Sequence, residues 1–361
     1  MNRYEAIGKD LFIKNRAKLA ARLKPNSAVL VFSNDVMPTN ADGTMPFRQN
    51  SNLLYLSGID QDASILLMAP DFPNEELREM LFLTETNEHI AVWEGHKYSK
   101  DEATEESGVK NIQWLDKFEL MLKTVLAETE NIYLYTNEHI RNATEVETRS
   151  DRMNKWVKTT YPDYEYERLA PIIYDLRTQK EAREIEVMQQ ACKITERGFR
   201  RILDFVKPGV WEFEVEAEYQ HEFVRNRSKG FAYTPIIAGG GNACVLHYVD
   251  NRDQLKDGDL LLMDVGAEYA NYMSDMTRTI PVNGRFTDRQ KAVYNAVLRV
   301  KNEATKLLTV GNRIPEYHKQ VGELMTKELV DLGLLSMEEV KNQDESWPAY
   351  KKYFMHGTSH H

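Results

Sequence analysis

Short apolar runs at residues 28–32, 64–68, 80–83 and 132–135 punctuate the first half of the chain, each closed by turn formers or by a helical pattern. Runs of that length predict strands. A helix is expected over residues 9–23, with Phe12, Leu19 and Leu23 on one face, Lys and Arg elsewhere, and Pro25 and Asn26 ending it. Alternating strands and helices predict an α/β domain over residues 1–170. Its end is marked by the polar, tyrosine-rich stretch Y-P-D-Y-E-Y-E from Tyr161 and by Ala170 followed by Pro171. A long helix is then expected from about Thr178 to Val206, where Ile185, Cys192 and Phe199 repeat every seven residues with Met188 and Ile202 beside them. Lys207, Pro208 and Gly209 end it.

A second helix is expected from about Trp211 to Asn226, and strand-like runs carrying His247, Asp264 and Asp275 follow. The run Gly239, Gly240, Gly241 reads as a tight turn. A phosphate loop would need a helix with Lys and Ser or Thr directly after it, whereas Asn242, Ala243 and Cys244 lead into an apolar strand. Thr287 and Gln290 form a capping box opening a helix to about Leu308, and Ile314, Pro315 and Glu316 begin another. Residues 171–361 therefore read as an α+β domain, helices packed on a mostly antiparallel sheet.

Composition narrows the function classes. A length of 361 residues fits two domains, and 42% hydrophobic with 28% charged residues is the balance of a globular protein with sizeable cores. The net charge of −10 excludes nucleic acid as the expected partner, because phosphate binding needs clustered Lys and Arg. It suits a cationic ligand such as a metal ion or a peptide amino terminus. Cys192 and Cys244 lie in apolar stretches without metal-type spacing and read as small buried thiols. No apolar segment of signal-peptide length opens the chain and none approaches a membrane span, so a cytoplasmic location is expected.

Candidate chemistry begins with Asp264 and Asp275, eleven residues apart in L-L-L-M-D-V-G-A-E-Y and N-Y-M-S-D-M-T-R-T-I-P-V. Asp is depleted in strands, and burying two carboxylates is costly without cations or hydrogen bonds to compensate. A divalent metal pair would compensate both. The competing reading is that each Asp merely opens a turn, since Gly266 and Asn271 are close by. Histidines at the far end, in F-M-H-G-T-S-H-H, would add a nitrogen ligand; a terminal His pair also reads as the start of a purification tag. His247 alone is equally a strand histidine with satisfied partners. His89, His96, His139, His221 and His318 lie in no motif.

Taken in order, H-Y at His247, D-V-G-A-E-Y at Asp264, S-D-M-T-R-T at Asp275 and F-M-H-G-T-S-H at His356 to His360 resemble the pita-bread metallopeptidases, within them the aminopeptidase P type. F-R-Q-N-S-N-L-L-Y-L-S-G, from Phe47 to Gly58, resembles the same family's amino-terminal domain. The resemblance implies an α/β amino-terminal domain followed by an α+β pita-bread catalytic domain. It implies two divalent metal ions, manganese foremost, with Asp264 chelating one, Asp275 bridging both and His360 as the imidazole ligand. Mostly oxygen ligation independently suits such an ion. A bridging water, acidified between two ions roughly 3.5–4 Å apart, would attack the scissile carbonyl. His247 and His356 are implied to steady substrate and tetrahedral intermediate, Trp93 and Tyr233 to contact substrate, and Thr277 to support Asp275.

The implied substrates are peptides with proline second, whose tertiary amide has no N–H to grip. The implied assembly is a homodimer or homotetramer in which Trp93, in A-V-W-E-G-H, borders a neighbour's substrate channel. The alternative for Trp93 is that it packs a strand of its own domain. The family's site also has two glutamates and a further histidine downstream of H-G-x-x-H. The chain stops at His361 with three of five ligands, which points to a carboxy-terminally incomplete version of the protein. Other readings of the set are an Xaa-Pro dipeptidase and a non-catalytic peptide-binding relative.

Overall fold

Six residues without a charge, Ser27–Phe32, form β1, and every one of them is buried. Total burial follows from a sheet covered on both faces. The computed structural model of the chain describes residues 3–140, 142 and 145–358. Its contacts divide it into two units, residues 1–201, 218–235 and 265–276 in the first, residues 202–217, 236–264 and 277–361 in the second.

The first unit contains a six-stranded sheet: β1, β2 (Ile65–Met68), β3 (Glu79–Leu83), β4 (Asn111–Trp114), β5 (Asn131–Leu134) and β6 (Glu165–Arg168). They lie in the order β4-β3-β2-β1-β5-β6. β2 pairs antiparallel with both β1 and β3; β1 with β5, β3 with β4 and β5 with β6 are parallel. Among the described residues up to Thr178 there are seven α-helices: α1 (Lys9–Ala20), α2 (Ser51–Ser57), α3 (Glu88–Glu94), α4 (Lys100–Ser107), α5 (Phe118–Leu126), α6 (Arg149–Thr160) and α7 (Ala170–Thr178). Side chains alternate across a strand, so the two faces build two cores. Val29, Val31, Leu66, Met68, Leu81 and Leu83 pack with Leu19, Leu53, Leu56, Ala103 and Ile173 from α1, α2, α4 and α7. Leu30, Phe32, Ile65, Leu67, Met80 and Phe82 pack with Phe118, Leu122 and Val125 from α5 and Val157 from α6.

Two further helices follow, α8 (Ala182–Phe205) and α9 (Glu212–Arg225). The remaining strands are β7 (Ile236–Gly239), β8 (Leu260–Val265), β9 (Glu268–Tyr269), β10 (Tyr272–Met273) and β11 (Met276–Pro281). β11, β8 and β7 make a three-stranded sheet in that order, and β9 with β10 a two-stranded one. In the second unit α10 (Asp288–Leu307) opens on the expected Thr287–Gln290 capping box. α11 (Ile314–Asp331) starts at Ile314 with Pro315 in its first turn. Val300 and Ala304 of α10 share a core with Val321, Met325 and Leu329 of α11. A short helix, α12 (Met337–Lys341), follows. Among the described residues no helix is long and apolar enough to cross a membrane.

Several sequence expectations are corrected. β4, β6 and α7 were not expected; both extra strands are edge strands with few buried positions. Arg16 is fully buried on α1 rather than on a solvated face: its guanidinium reaches Glu79 at 2.9 Å and the carbonyls of Leu56 and Ser107 at 2.7 and 3.0 Å. Burial lowers its pKa, with Glu79 opposing. On α8 the buried stripe is Glu184, Val187, Ala191, Ile194, Thr195 and Ile202, while Ile185 is 46% exposed. Cys192 and Cys244 are free and exposed, not buried thiols. Residues 240–244 form a 3-10 helix rather than the start of a strand.

Candidate active site

β8 alternates strictly. Leu261, Met263 and Val265 are buried, while Leu260, Leu262 and Asp264 are half-buried on the other face. Asp264 makes the last pair of that register, opposite Ile236 of antiparallel β7, and is still followed by one more strand residue, Val265. It therefore lies inside a strand, and the turn-opening reading fails for it.

The chain then enters a small hairpin that ends on Asp275. Ala270 (φ 53°) and Asn271 (φ 61°) are both left-handed between β9 and β10, the backbone of a tight two-residue hairpin turn. Buried Glu268 fixes the turn by accepting from the Asn271 N–H at 2.5 Å and the Lys229 N–H at 2.9 Å. At the hairpin base the Ser274 and Thr195 hydroxyls are 2.7 Å apart, and both accept from the Ala267 N–H. Gly266 lies so close to this base that a Cβ there would sit 1.8 Å from the Ser274 carbonyl oxygen. The clamp leaves Asp275 exposed, one residue before β11, where the Tyr233 hydroxyl donates to its Oδ1 at 3.2 Å. Asp264 belongs to the second unit, and Asp275 and Tyr233 to the first.

His247 is exposed in a turn rather than on a strand. His356 is exposed, with Nδ1 2.8 Å from the Gly357 carbonyl and its ring edge-on to Phe354 at 5.1 Å. It lines a cavity of about 540 Å³ together with His318, Lys319, Glu323 and Tyr350. His318 had no motif to mark it, yet its Nε2 is buried without a hydrogen-bond partner and its ring abuts Gly357. His360 lies outside the described residues. Trp93 is on α3 and 81% exposed, which removes the reading that it packs a strand of its own domain.

For a metal ion the donor chemistry is right in kind but incomplete in number. Asp264 and Asp275 offer hard oxygen donors. Among the described residues, however, no group of three or more His, Cys, Asp or Glu could hold an ion.

Comparison with known proteins identifies the family. Residues 186–361 match metallopeptidase family M24, and residues 12–135 match the aminopeptidase P amino-terminal domain. The Xaa-Pro aminopeptidase of Haemophilus influenzae is 33% identical over 352 residues, 98% of this chain and 79% of that one. A mouse Xaa-Pro dipeptidase is 29% identical over 90% of this chain and 66% of its own length. The structure of a putative aminopeptidase P from Bacillus anthracis superposes with a TM-score of 0.89 at 30% identity, covering 98% of this chain and 82% of that one. The fold is an α/β amino-terminal domain followed by an α+β pita-bread domain. The chain belongs to the M24 metallopeptidases, in the aminopeptidase P branch.

Proposed function

We propose that the chain is a metal-dependent Xaa-Pro aminopeptidase that releases the first residue from peptides with proline second. The supporting observation is a likeness to Xaa-Pro aminopeptidase that runs through both domains and 98% of the chain. Asp264, Asp275 and His360 are the proposed ligands of two divalent ions, manganese foremost, which when bound supply Lewis acidity and water activation. The chain's own residues orient and stabilise. Tyr233 donates to Asp275 Oδ1 and so holds that carboxylate's direction, while reaching substrate as well. His247 and His356 donate to the carbonyl oxygen as charge develops on it. The carboxylates also give the peptide's free ammonium a charge partner, replacing the N–H that proline lacks. A domain boundary near residue 170, a cytoplasmic location and a homodimer or homotetramer complete the proposal.

The test is Arg-Pro-Pro hydrolysis after chelation and after manganese readdition. Activity is expected to vanish and return. Full activity in chelator, in protein with no metal by elemental analysis, would overturn the proposal. An Xaa-Pro dipeptidase remains the second reading because of the mouse relative; cleavage of Xaa-Pro dipeptides but not tripeptides would select it.

Trp93 gives a separate check on assembly. Its ring is 81% exposed, so Trp93→Ala should change stability by no more than about 0.5 kcal/mol, the usual range at a surface. It should raise KM for longer Xaa-Pro peptides more than for dipeptides. A large fall in melting temperature with unchanged length preference contradicts the rim role, and a strictly monomeric, fully active protein contradicts the shared channel.

A further inference from the structure

In the second unit, one carboxylate organises the segment that carries His247. Glu212 is the first residue of α9 and fully buried. Its Oε1 accepts from the Gly239 N–H at 2.7 Å and from Asn242 Nδ2 at 3.1 Å. Its Oε2 accepts from the Tyr248 hydroxyl at 2.7 Å and from the Asp253 N–H at 2.9 Å. Four donors fill the four lone-pair sites of an ionised carboxylate. These neutral donors, with the positive end of the α9 dipole, are what allow a charge to remain buried there.

The backbone adds a fifth tie, from the Glu212 N–H to the Asp253 carbonyl at 3.0 Å, and Asn242 Nδ2 also reaches Asp253 Oδ2 at 2.9 Å. The anchors fall at the end of β7, in the 3-10 helix, beside His247 and at the far end of the segment. His247 itself is exposed in the turn between them. Its direct neighbour Tyr248 is the hydroxyl donor, and burial together with the bond to Glu212 pushes that phenol up to about 12.

We propose that Glu212 is the positioning residue for His247, setting where the imidazole stands without touching substrate. This rests on the peptidase reading, in which His247 donates to the developing oxyanion. Glu212→Gln replaces one acceptor oxygen by an amide that faces two donors. In full-length protein loaded with manganese, kcat on Arg-Pro-Pro should fall roughly a hundredfold, the loss expected from a displacement of about 1 Å, with KM and metal content nearly unchanged. Adding His247→Ala to Glu212→Gln should cost little beyond the larger single loss, because the two act as a unit. Losses that multiply would overturn the proposal.

A second readout does not depend on activity. The His247 imidazole resonances, assigned by their disappearance in His247→Ala, should shift or broaden in Glu212→Gln; unchanged resonances would overturn the role. Should Glu212→Gln fail to fold, Tyr248→Phe removes one donor of the four and should give the same pattern in milder form, a fall in kcat with shifted His247 resonances. Absence of either effect counts against Glu212. If the wild-type protein cleaves no Xaa-Pro peptide, the functional reading fails, and the imidazole spectra still decide the role of Glu212.

Discussion

Asp275→Ala is expected to abolish hydrolysis of Xaa-Pro peptides and to empty the metal site, because in the proposed site that carboxylate would serve both ions. Tyr233→Phe removes only the hydroxyl donated to Asp275 Oδ1 and should weaken metal binding by roughly 10–100-fold, the usual cost of losing a partner behind a ligand. His356→Ala separates the roles. It should leave metal content nearly intact while lowering turnover by roughly a hundred- to a thousandfold, as removal of one oxyanion donor does. Elemental analysis and kcat measured on the same preparations check all three. A metal-free His356→Ala protein would make His356 a ligand, and a fully loaded Asp275→Ala protein would remove the bridge.

Of the glycines in this chain, Gly266 has the least room for a Cβ, so Gly266→Ala should be strongly destabilising. The new Cβ would meet the Ser274 carbonyl oxygen at 1.8 Å, its carbon at 2.7 Å and the Tyr233 ring at 3.2 Å. Two of these atoms are backbone and held by the Ala267–Ser274 clamp, so the hairpin itself must shift. We expect a loss of about 3 kcal/mol or more, at the upper end of overpacking costs, with loss of activity as the Tyr233–Asp275 bond is displaced. Gly241→Ala is the control: nothing lies within 4 Å of its Cβ position and its φ is not positive, so a change within about 0.5 kcal/mol is expected. Urea unfolding of both variants decides. Equal midpoints would mean that the close approach at Gly266 is not held in solution.

What could be read from sequence follows the physics of burial. β1, β2, β3 and β5 lie inside the sheet and show as apolar runs, because both of their faces are covered. β4 and β6 are the two edges; N-I-Q-W and E-Y-E-R bury little and leave no apolar signal. The α8 stripe was placed one position off, about 100° of helix rotation. Its true face includes Glu184, whose carboxylate accepts from the Tyr272 hydroxyl at 2.9 Å, and Gly198, against which Tyr219 packs. A count of apolar residues cannot see either. The same blindness hid Glu212, which looks like one more acid in the run E-F-E-V-E-A-E and is instead fully buried. Asp264 was legible because a charge inside L-L-L-M-D-V contradicts its surroundings. His318 was not, since its role in the His356 cavity depends on packing of α11 against a segment nearly forty residues away.

The strand order β4-β3-β2-β1-β5-β6 has a consequence for a ribosome making this protein. β1 ends at Phe32, and its first parallel partner, β5, does not begin until Asn131. One edge of this fully buried strand therefore stays without its partner while about a hundred residues are added, roughly 5–20 s at ordinary elongation rates. During that interval the antiparallel trio β1, β2 and β3 can form but presents an open hydrogen-bonding rim. Such rims template pairing between chains. Aggregation during rapid synthesis should therefore begin at β1, and slower translation before residue 131 should worsen it rather than relieve it.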